Sequence, residues 1–297
     1  MHEVLKGIYT ALVTPMRSGK IDYNALESLV IRQIEAGVQG LAICASSGEG
    51  ATLTDDERSS IIKQVIELAG ESLQILVGTG CMSTWATIEA TKKASDLGAE
   101  TALVAPPSYV KPSQDGHIAH YEAIAEEGGL PIVVYNVPSR TSTDILPETL
   151  ARLAAHDKIV GIKEATGSIL RVQQVIAAVA GKMSVLSGDD PITLSLLVAG
   201  GDGVICTASN AVPELWVSLF DNWQQGNIKE ASKIQSELTS LHVVLFHETN
   251  PGPVKAALHL LGLIEPEIRL PLIWPNQNTL SCLEQELTKR GYTCVIR

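Results

Sequence analysis

Ile159-Val-Gly-Ile-Lys-Glu-Ala-Thr-Gly167 is a short apolar run that meets a lysine and then ends in turn residues. Seven other runs have the same continuous apolar character and also end in Gly, Pro, Ser, Thr or Asn; they begin near Ile8, Leu41, Ile75, Ala102, Ile132, Ser184 and Val204. A continuous apolar run, unlike an alternating one, is typical of a strand that is covered on both faces. The sequence therefore predicts eight buried, parallel strands.

Helix-like segments separate these runs. Four of them begin on a polar capping residue and stop at glycine: Asp22–Gly37, Thr54–Gly70, Ser83–Gly98 and Ser113–Gly128. Strand–helix alternation repeated eight times predicts an α/β protein with a (β/α)₈ TIM barrel. The alternative is an open doubly wound sheet, but the glycine-rich dinucleotide fingerprint is absent after the first run.

The strand pattern stops near residue 226, and helical patterns follow at Ile228–Phe246, Pro253–Leu261 and Thr279–Arg290. We therefore expect two parts: a catalytic barrel over residues 1–226 and a C-terminal helical extension over residues 227–297. The sequence has no low-complexity segment and no long linker.

Composition excludes several classes of function. A formal net charge of −11 argues against nucleic acid or an anionic membrane as a partner. The five cysteines are scattered without CxxC spacing, so neither a disulfide framework nor a zinc site is expected. No apolar run approaches the roughly 20 residues of a membrane span, and the N-terminus lacks a signal-peptide pattern. We expect a cytoplasmic protein without a metal or other bound cofactor.

Lys163 is the candidate nucleophile. Burying an ammonium group is costly unless the charge is paired or the proton is lost. A lysine that loses its proton can attack a ketone and form a Schiff base. The alternative is that the side chain extends to solvent from the strand end or pairs with Glu164.

Imine chemistry also needs a proton shuttle, and Tyr135 at the end of the fifth run is suitably placed. In a barrel the strand ends share one mouth, which brings Tyr135 near the polar residues that follow the second run, Ser46 and Ser47. A hydroxyl there could orient the tyrosine. The alternative for Tyr135 is a core aromatic with a satisfied hydroxyl.

Two further elements suit an anionic substrate. Arg140 follows the fifth run, and its planar guanidinium suits a carboxylate, although a solvated loop arginine is the alternative. The Ser46-Ser47-Gly48-Glu49 segment could offer backbone N–H groups, or simply form a turn. His117 and His120 have helical spacing without a third ligand, which indicates a solvated helix face rather than a metal site.

Seven sequence blocks follow one another along the chain: Ser47-Gly-Glu49, Gly78-Thr-Gly80, Lys111-Pro-Ser-Gln114, Tyr135-Asn-Val-Pro-Ser-Arg-Thr141, Gly161-Ile-Lys-Glu-Ala-Thr-Gly167, Leu186-Ser-Gly-Asp-Asp190 and Asn250-Pro-Gly-Pro-Val-Lys255. In this order the blocks resemble the dihydrodipicolinate synthase family, within the pyruvate-dependent class I aldolases and lyases. The resemblance covers nearly the whole chain.

The resemblance implies a role for each site residue. Lys163 forms the imine with pyruvate, Tyr135 relays protons, and Ser46 takes the hydroxyl position that the family usually fills with threonine. Ser47 and Gly48 hold the pyruvate carboxylate. Tyr109 reaches the active site of a neighbouring subunit, and the backbone of Ile205 faces the active site. Arg140 binds the second substrate.

The resemblance also implies a homo-oligomer, a tetramer built as a dimer of dimers. An arginine at position 140 favours the family members that condense pyruvate with aspartate-4-semialdehyde in lysine and diaminopimelate biosynthesis. The alternatives are a sugar-acid lyase or aldolase of the N-acetylneuraminate or 2-keto-3-deoxy-sugar-acid type, and a non-catalytic barrel that binds a keto acid.

This chain departs from lysine-inhibited relatives at the positions of their regulatory pocket. Met82 and Ala86 stand where those relatives have polar groups that hold lysine, and Ser108 replaces a tyrosine; Asp55 and Arg58 occupy the remaining matching positions. We therefore expect weak or absent inhibition by lysine.

Overall fold

The computed structural model describes residues 5–295. Its ten strands are β1 (Gly7–Ala11), β2 (Met16–Arg17), β3 (Lys20–Ile21), β4 (Gly40–Ile43), β5 (Gln74–Gly78), β6 (Thr101–Val104), β7 (Ile132–Asn136), β8 (Ile159–Glu164), β9 (Ser184–Ser187) and β10 (Gly203–Cys206). All except β2 and β3 form a closed barrel in the order β1-β10-β9-β8-β7-β6-β5-β4. Each barrel strand coincides with one of the eight apolar runs, so the predicted (β/α)₈ barrel is confirmed.

Helices fill the connections and the C-terminal part of the described chain. They are α1 (Tyr23–Ala36), α2 (Asp55–Ala69), α3 (Thr84–Asp96), α4 (Gln114–Glu127), α5 (Pro138–Thr141), α6 (Pro147–Leu153), α7 (Ile169–Val179), α8 (Thr193–Val198), α9 (Pro213–Gln224), α10 (Ile228–Leu245), α11 (Gly252–Leu260) and α12 (Gln277–Lys289). The three C-terminal helices were predicted to within two residues at each end. The division into a barrel of residues 1–226 and an extension of residues 227–297 stays a prediction.

Capping explains why the predicted helices begin where they do. The Asp22 side chain accepts a hydrogen bond from the backbone N–H of Ala25, which satisfies one free donor of the first turn. Thr54 and Glu57 form the reciprocal capping box that their spacing predicted. Ser83 and Ser113 accept in the same way at the starts of α3 and α4.

The β2–β3 ribbon was not predicted from the sequence. Met16 pairs with Ile21 and Arg17 with Lys20, so the turn contains only Ser18 and Gly19. Both turn residues have positive φ, 53° and 77°, which suits a two-residue hairpin turn. The Ser-Gly dipeptide was the available signal, but strands of two residues are too short to give an alternating pattern.

The chain divides into two compact units. One takes in Gln74–Cys206 and the described residues up to Tyr9; it contains β5–β10. The other takes in Thr10–Leu73 and the described chain from Thr207, including α10–α12. Lys163 belongs to the first unit, and the Ser46–Glu49 segment belongs to the second. Within residues 5–295, no helix combines the length and the apolar character needed to cross a membrane.

Arg269 ties the segment before α12 to the start of α2. Its two guanidinium Nη atoms donate to the two carboxylate oxygens of Glu57, and both side chains are about four-fifths buried. The hydrogen bond from Arg269, assisted by backbone and charge interactions, lowers the pKa of Glu57 to about 2.

This pair gives stability a defined pH dependence. Because the folded carboxyl has a lower pKa than the unfolded one, its contribution is complete above the unfolded value of 4.5 and is lost as the pH falls through about 2. We expect Glu57→Gln, which retains the capping oxygen, to lower the free energy of unfolding by about 1–2 kcal/mol at neutral pH. Urea unfolding should show the difference shrinking as the pH is lowered to about 3. A pH-independent difference would contradict this assignment.

Candidate functional site

Lys163 and Tyr135 are direct neighbours across β7 and β8. The register shifts by one residue between Ile132 and Val133, after which Tyr135 is paired with Lys163. Because successive side chains of a strand point to opposite faces, a shift of one residue changes which side chains of two neighbouring strands share a face. This irregularity therefore places the Tyr135 and Lys163 side chains on the same face of the sheet. The Lys163 Nζ lies 4.3 Å from the centroid of the Tyr135 ring.

Both side chains are buried, with Lys163 only 5% exposed and Tyr135 only 7%. The Lys163 side chain therefore does not extend to solvent, which excludes one alternative. It does not pair with Glu164 either, because that carboxylate accepts hydrogen bonds from Asn136 Nδ2 at 3.0 Å and from the Thr166 N–H at 2.8 Å. Among the described residues, Lys163 takes part in no ion pair, and its contact with the Tyr135 ring is favourable for an ammonium group.

Gly188 leaves the space that the Lys163 stem occupies. A Cβ atom at this position would lie 3.0 Å from both Cγ and Cε of Lys163 and 2.6 Å from Cβ of Ala165. The Gly188 N–H donates to the Glu164 carbonyl at 2.7 Å, which fixes this close approach. Glycine is therefore required here for space rather than for backbone conformation.

A polar network fixes the outer side of the same strands. Asn136 bridges the carboxylates of Glu164 and Asp144 through its side-chain amide. Arg171 binds both oxygens of Asp144, at 2.8 and 2.7 Å. Burial would raise the pKa of Asp144, but hydrogen bonds from Arg171 and Asn136 outweigh it and hold that pKa below its usual value. The network stabilises the pairing of β7 with β8, the two strands that carry Tyr135 and Lys163.

The other predicted residues of this unit lie on three different elements. Tyr109 lies in the turn after β6 and is 84% exposed. Arg140 lies in α5, directly after β7, and is also exposed. Ile205 is fully buried within β10. Their predicted roles stay predictions.

In the second unit, Ser46–Glu49 forms a tight turn after β4. Glu49 N–H donates to the Ser46 carbonyl, and Gly50 N–H donates to the Ala45 carbonyl. Within residues 5–295, no hydrogen bond uses the backbone N–H of Ser47 or Gly48. Two adjacent, uncommitted N–H groups are what a carboxylate requires of a backbone binding site.

Three side chains that are distant from this turn in the sequence form hydrogen bonds with it. Thr14 Oγ1 donates to the Gly48 carbonyl at 2.7 Å, and Asn250 Nδ2 donates to Ser47 Oγ at 3.0 Å. Lys255 Nζ binds Glu49 Oε1 at 2.6 Å, and both side chains are almost fully buried. Asn250 and Lys255 belong to one of the blocks that carry the family resemblance, but nothing local in the sequence connects them to the turn, so their contacts with it were not predicted.

The two histidines of α4 differ from what the sequence predicts. The prediction of a solvated face for His117 and His120 is wrong, because both are buried: His117 contacts Thr143 Oγ1 at 3.0 Å, and His120 contacts Thr84 Oγ1 at 2.9 Å. Burial lowers the pKa of His120 to about 4, with a smaller contribution from His117. In the described part of the chain, no group of three or more His, Cys, Asp or Glu side chains is arranged to hold a metal ion.

Comparisons with known proteins identify the family of this chain. The model of the dihydrodipicolinate synthetase family matches residues 4–290. The 4-hydroxy-tetrahydrodipicolinate synthase of Thermodesulfovibrio yellowstonii is 43% identical over 97% of this chain and 99% of its own length. The crystal structure of dihydrodipicolinate synthase from Thermotoga maritima superposes with a TM-score of 0.96 at 40% identity, covering 98% of this chain and all of that one.

A dihydrodipicolinate synthase from Acinetobacter baumannii, crystallised with pyruvate, also superposes, with a TM-score of 0.94 at 40% identity over 97% of this chain and 99% of that one. The match to the family model and the high identity extend over nearly the whole length. The residues that the family model matches include the strand that carries Lys163 and the turn that follows β4. The chain therefore belongs to the dihydrodipicolinate synthetase family.

Proposed function

We propose that this chain catalyses the 4-hydroxy-tetrahydrodipicolinate synthase reaction, a lyase-type condensation of pyruvate with aspartate-4-semialdehyde in lysine and diaminopimelate biosynthesis. The observation that carries the proposal is the buried Lys163 Nζ, 4.3 Å from the Tyr135 ring centroid and outside any ion pair among the described residues. An amine held in this way is suited to covalent catalysis. Family membership supplies the reaction.

The mechanism starts with the Lys163 amine adding to the ketone carbon of pyruvate. Water leaves, and the resulting iminium draws electrons from the adjacent methyl group, which loses a proton to give an enamine. The enamine carbon then attacks the aldehyde carbon of the second substrate. The amine of that substrate finally displaces Lys163 and closes the ring. The imine itself accepts the electrons, so no other cofactor is required.

The remaining roles are those that the resemblance to the family implies. Tyr135 relays the protons that leave and enter at the imine, and the Ser46 hydroxyl orients it. The N–H groups of Ser47 and Gly48 bind the pyruvate carboxylate. Arg140 binds the carboxylate of the semialdehyde.

The assembly and the location complete the proposal. The exposed Tyr109 reaches the active site of a second copy, and the Ile205 backbone faces the bound pyruvate. The chain acts as a homotetramer in the cytoplasm. A large exposed aromatic side chain is consistent with a contact to another copy, since such side chains are enriched at interfaces.

The experiment that tests this function is a panel of aldehydes. The protein is incubated with pyruvate and one aldehyde at a time, and pyruvate consumption is followed. We expect rapid consumption with aspartate-4-semialdehyde and little with N-acetylmannosamine or glyceraldehyde. A preference for a sugar aldehyde would identify a sugar-acid lyase, and no consumption with any aldehyde would indicate a non-catalytic barrel.

A further prediction concerns regulation. The Met82 side chain is half-exposed, and its sulfur accepts a hydrogen bond from Ser108 Oγ at 3.4 Å. Neither Met82 nor Ala86 has a side chain that can bind the charged ends of lysine. Each missing charge-assisted hydrogen bond removes about 1.5–3 kcal/mol of binding. We expect the initial rate to be unchanged by micromolar lysine, in a coupled assay at subsaturating pyruvate. Half-inhibition in that range would contradict the prediction.

A further inference from the structure

Two side chains near α11 are bonded to the turn that the proposed function assigns to the pyruvate carboxylate. Asn250 precedes the helix and donates to Ser47 Oγ at 3.0 Å. Lys255, within the helix, binds Glu49 Oε1 at 2.6 Å. These contacts flank the two uncommitted N–H groups of Ser47 and Gly48, one on each side.

The Lys255–Glu49 pair is unusual in its burial. The two side chains are 0% and 1% exposed, so neither charge has access to water. The other carboxylate oxygen of Glu49 accepts the backbone N–H of Arg269 at 3.0 Å. Burial lowers the pKa of Lys255, and the Glu49 charge opposes that effect. Apolar residues of similar size often replace a buried pair of this kind without loss of stability, so the pair is weak evidence for a purely structural role.

Two physical consequences concern the turn rather than the helix. Glu49 has a left-handed backbone conformation, with φ at 53°, which a residue other than glycine adopts only when its surroundings hold it there. Its carboxylate is also an anion one residue from the Gly48 N–H. Without the Lys255 ammonium, that negative charge would repel an incoming carboxylate in a medium where screening is weak.

We propose that Lys255 and Asn250 are positioning residues for pyruvate: they fix the Ser46–Glu49 turn and neutralise Glu49, so that the N–H groups of Ser47 and Gly48 can bind the substrate carboxylate. The proposal rests on the proposed function. It predicts that loss of either contact weakens pyruvate binding, whereas chemistry on bound pyruvate is less affected.

The test compares variants by the pyruvate concentration that gives half-maximal trapping of the imine with borohydride, measured by intact mass. We expect Lys255→Met to raise this concentration about tenfold or more, since a displacement of about 1 Å at a positioning group can have effects of that size. The maximal extent of trapping at saturating pyruvate should remain near that of the wild type. The double variant Lys255→Met/Glu49→Gln, which removes both charges, should recover part of the loss.

Arg290→Met provides a matched control for general destabilisation. Arg290 directly follows α12, binds Glu286 of that helix at 2.6 Å and is also largely buried, so the variant removes the cation of a comparable pair away from the turn. It should lower the melting temperature and leave half-saturation by pyruvate unchanged. Asn250→Ala tests the same proposal without changing a charge, and it replaces Lys255→Met in the comparison if that variant does not fold.

The outcomes are distinguishable. If Lys255→Met and Asn250→Ala lower stability but keep half-saturation within about twofold of the wild type, as a uniform structural effect would, the inference is overturned. If the double variant binds pyruvate no better than Lys255→Met, the charge argument is overturned. If the wild type traps no pyruvate at all, the proposed function fails instead.

Discussion

Lys163→Met is expected to lower the turnover number by about 10⁴-fold or more, because removing a covalent nucleophile removes the whole imine route. Methionine has a similar stem and can fill the space beside Tyr135. The fold should survive and be at least as stable as the wild type, since a buried ammonium without an ion pair is costly. Steady-state kinetics and thermal unfolding of the same preparation check the two halves of this prediction.

Lys158→Met is the matched control. Lys158 directly precedes β8 and is exposed, so the same substitution at the opposite end of the strand should leave turnover unchanged. A Lys163→Met protein that keeps more than about one-hundredth of the wild-type rate would contradict the nucleophile assignment, because general positioning effects alone reach about that size.

Gly188→Ala is expected to reduce kcat about 100-fold by displacing the lysine stem. The new methyl group would lie 3.0 Å from Cγ and Cε of Lys163 and 2.6 Å from Cβ of Ala165. The lysine is the more mobile neighbour, so it moves and its Nζ leaves the Tyr135 ring. We also expect a stability loss of about 1–3 kcal/mol from overpacking. Steady-state kinetics and urea unfolding measure the two effects.

The double variant Gly188→Ala/Ala165→Gly separates the two effects. Removing the Ala165 methyl relieves the 2.6 Å contact but leaves the contacts with Lys163 in place. Stability should therefore recover while turnover stays low. Recovery of both together would show that the loss of activity came from general strain rather than from the position of the lysine.

The barrel could be predicted from sequence because each strand is a continuous apolar run ended by turn residues, and this pattern is local. The site could be predicted in part for the same reason, since Lys163 and Tyr135 both end such runs. Their direct pairing could not, because it depends on the register shift between Ile132 and Val133, which leaves no local signal.

Long-range contacts account for the other omissions. Gly188 needs no unusual backbone angle, so only the neighbouring strand shows why it is glycine. Lys255 appears in the sequence as an ordinary helical lysine, and only the tertiary structure reveals Glu49 as its partner. His117 and His120 appeared suited to solvent because helical spacing alone does not show which neighbours cover a helix.

The central claim is that Lys163 carries pyruvate as an imine. The most direct measurement is reduction with borohydride in the presence of pyruvate, followed by peptide mapping by mass spectrometry. We predict one modified peptide that contains Lys163, heavier by pyruvic acid less one oxygen atom, and its absence in Lys163→Met. No adduct, or an adduct on another lysine such as Lys111 or Lys255, would contradict the account.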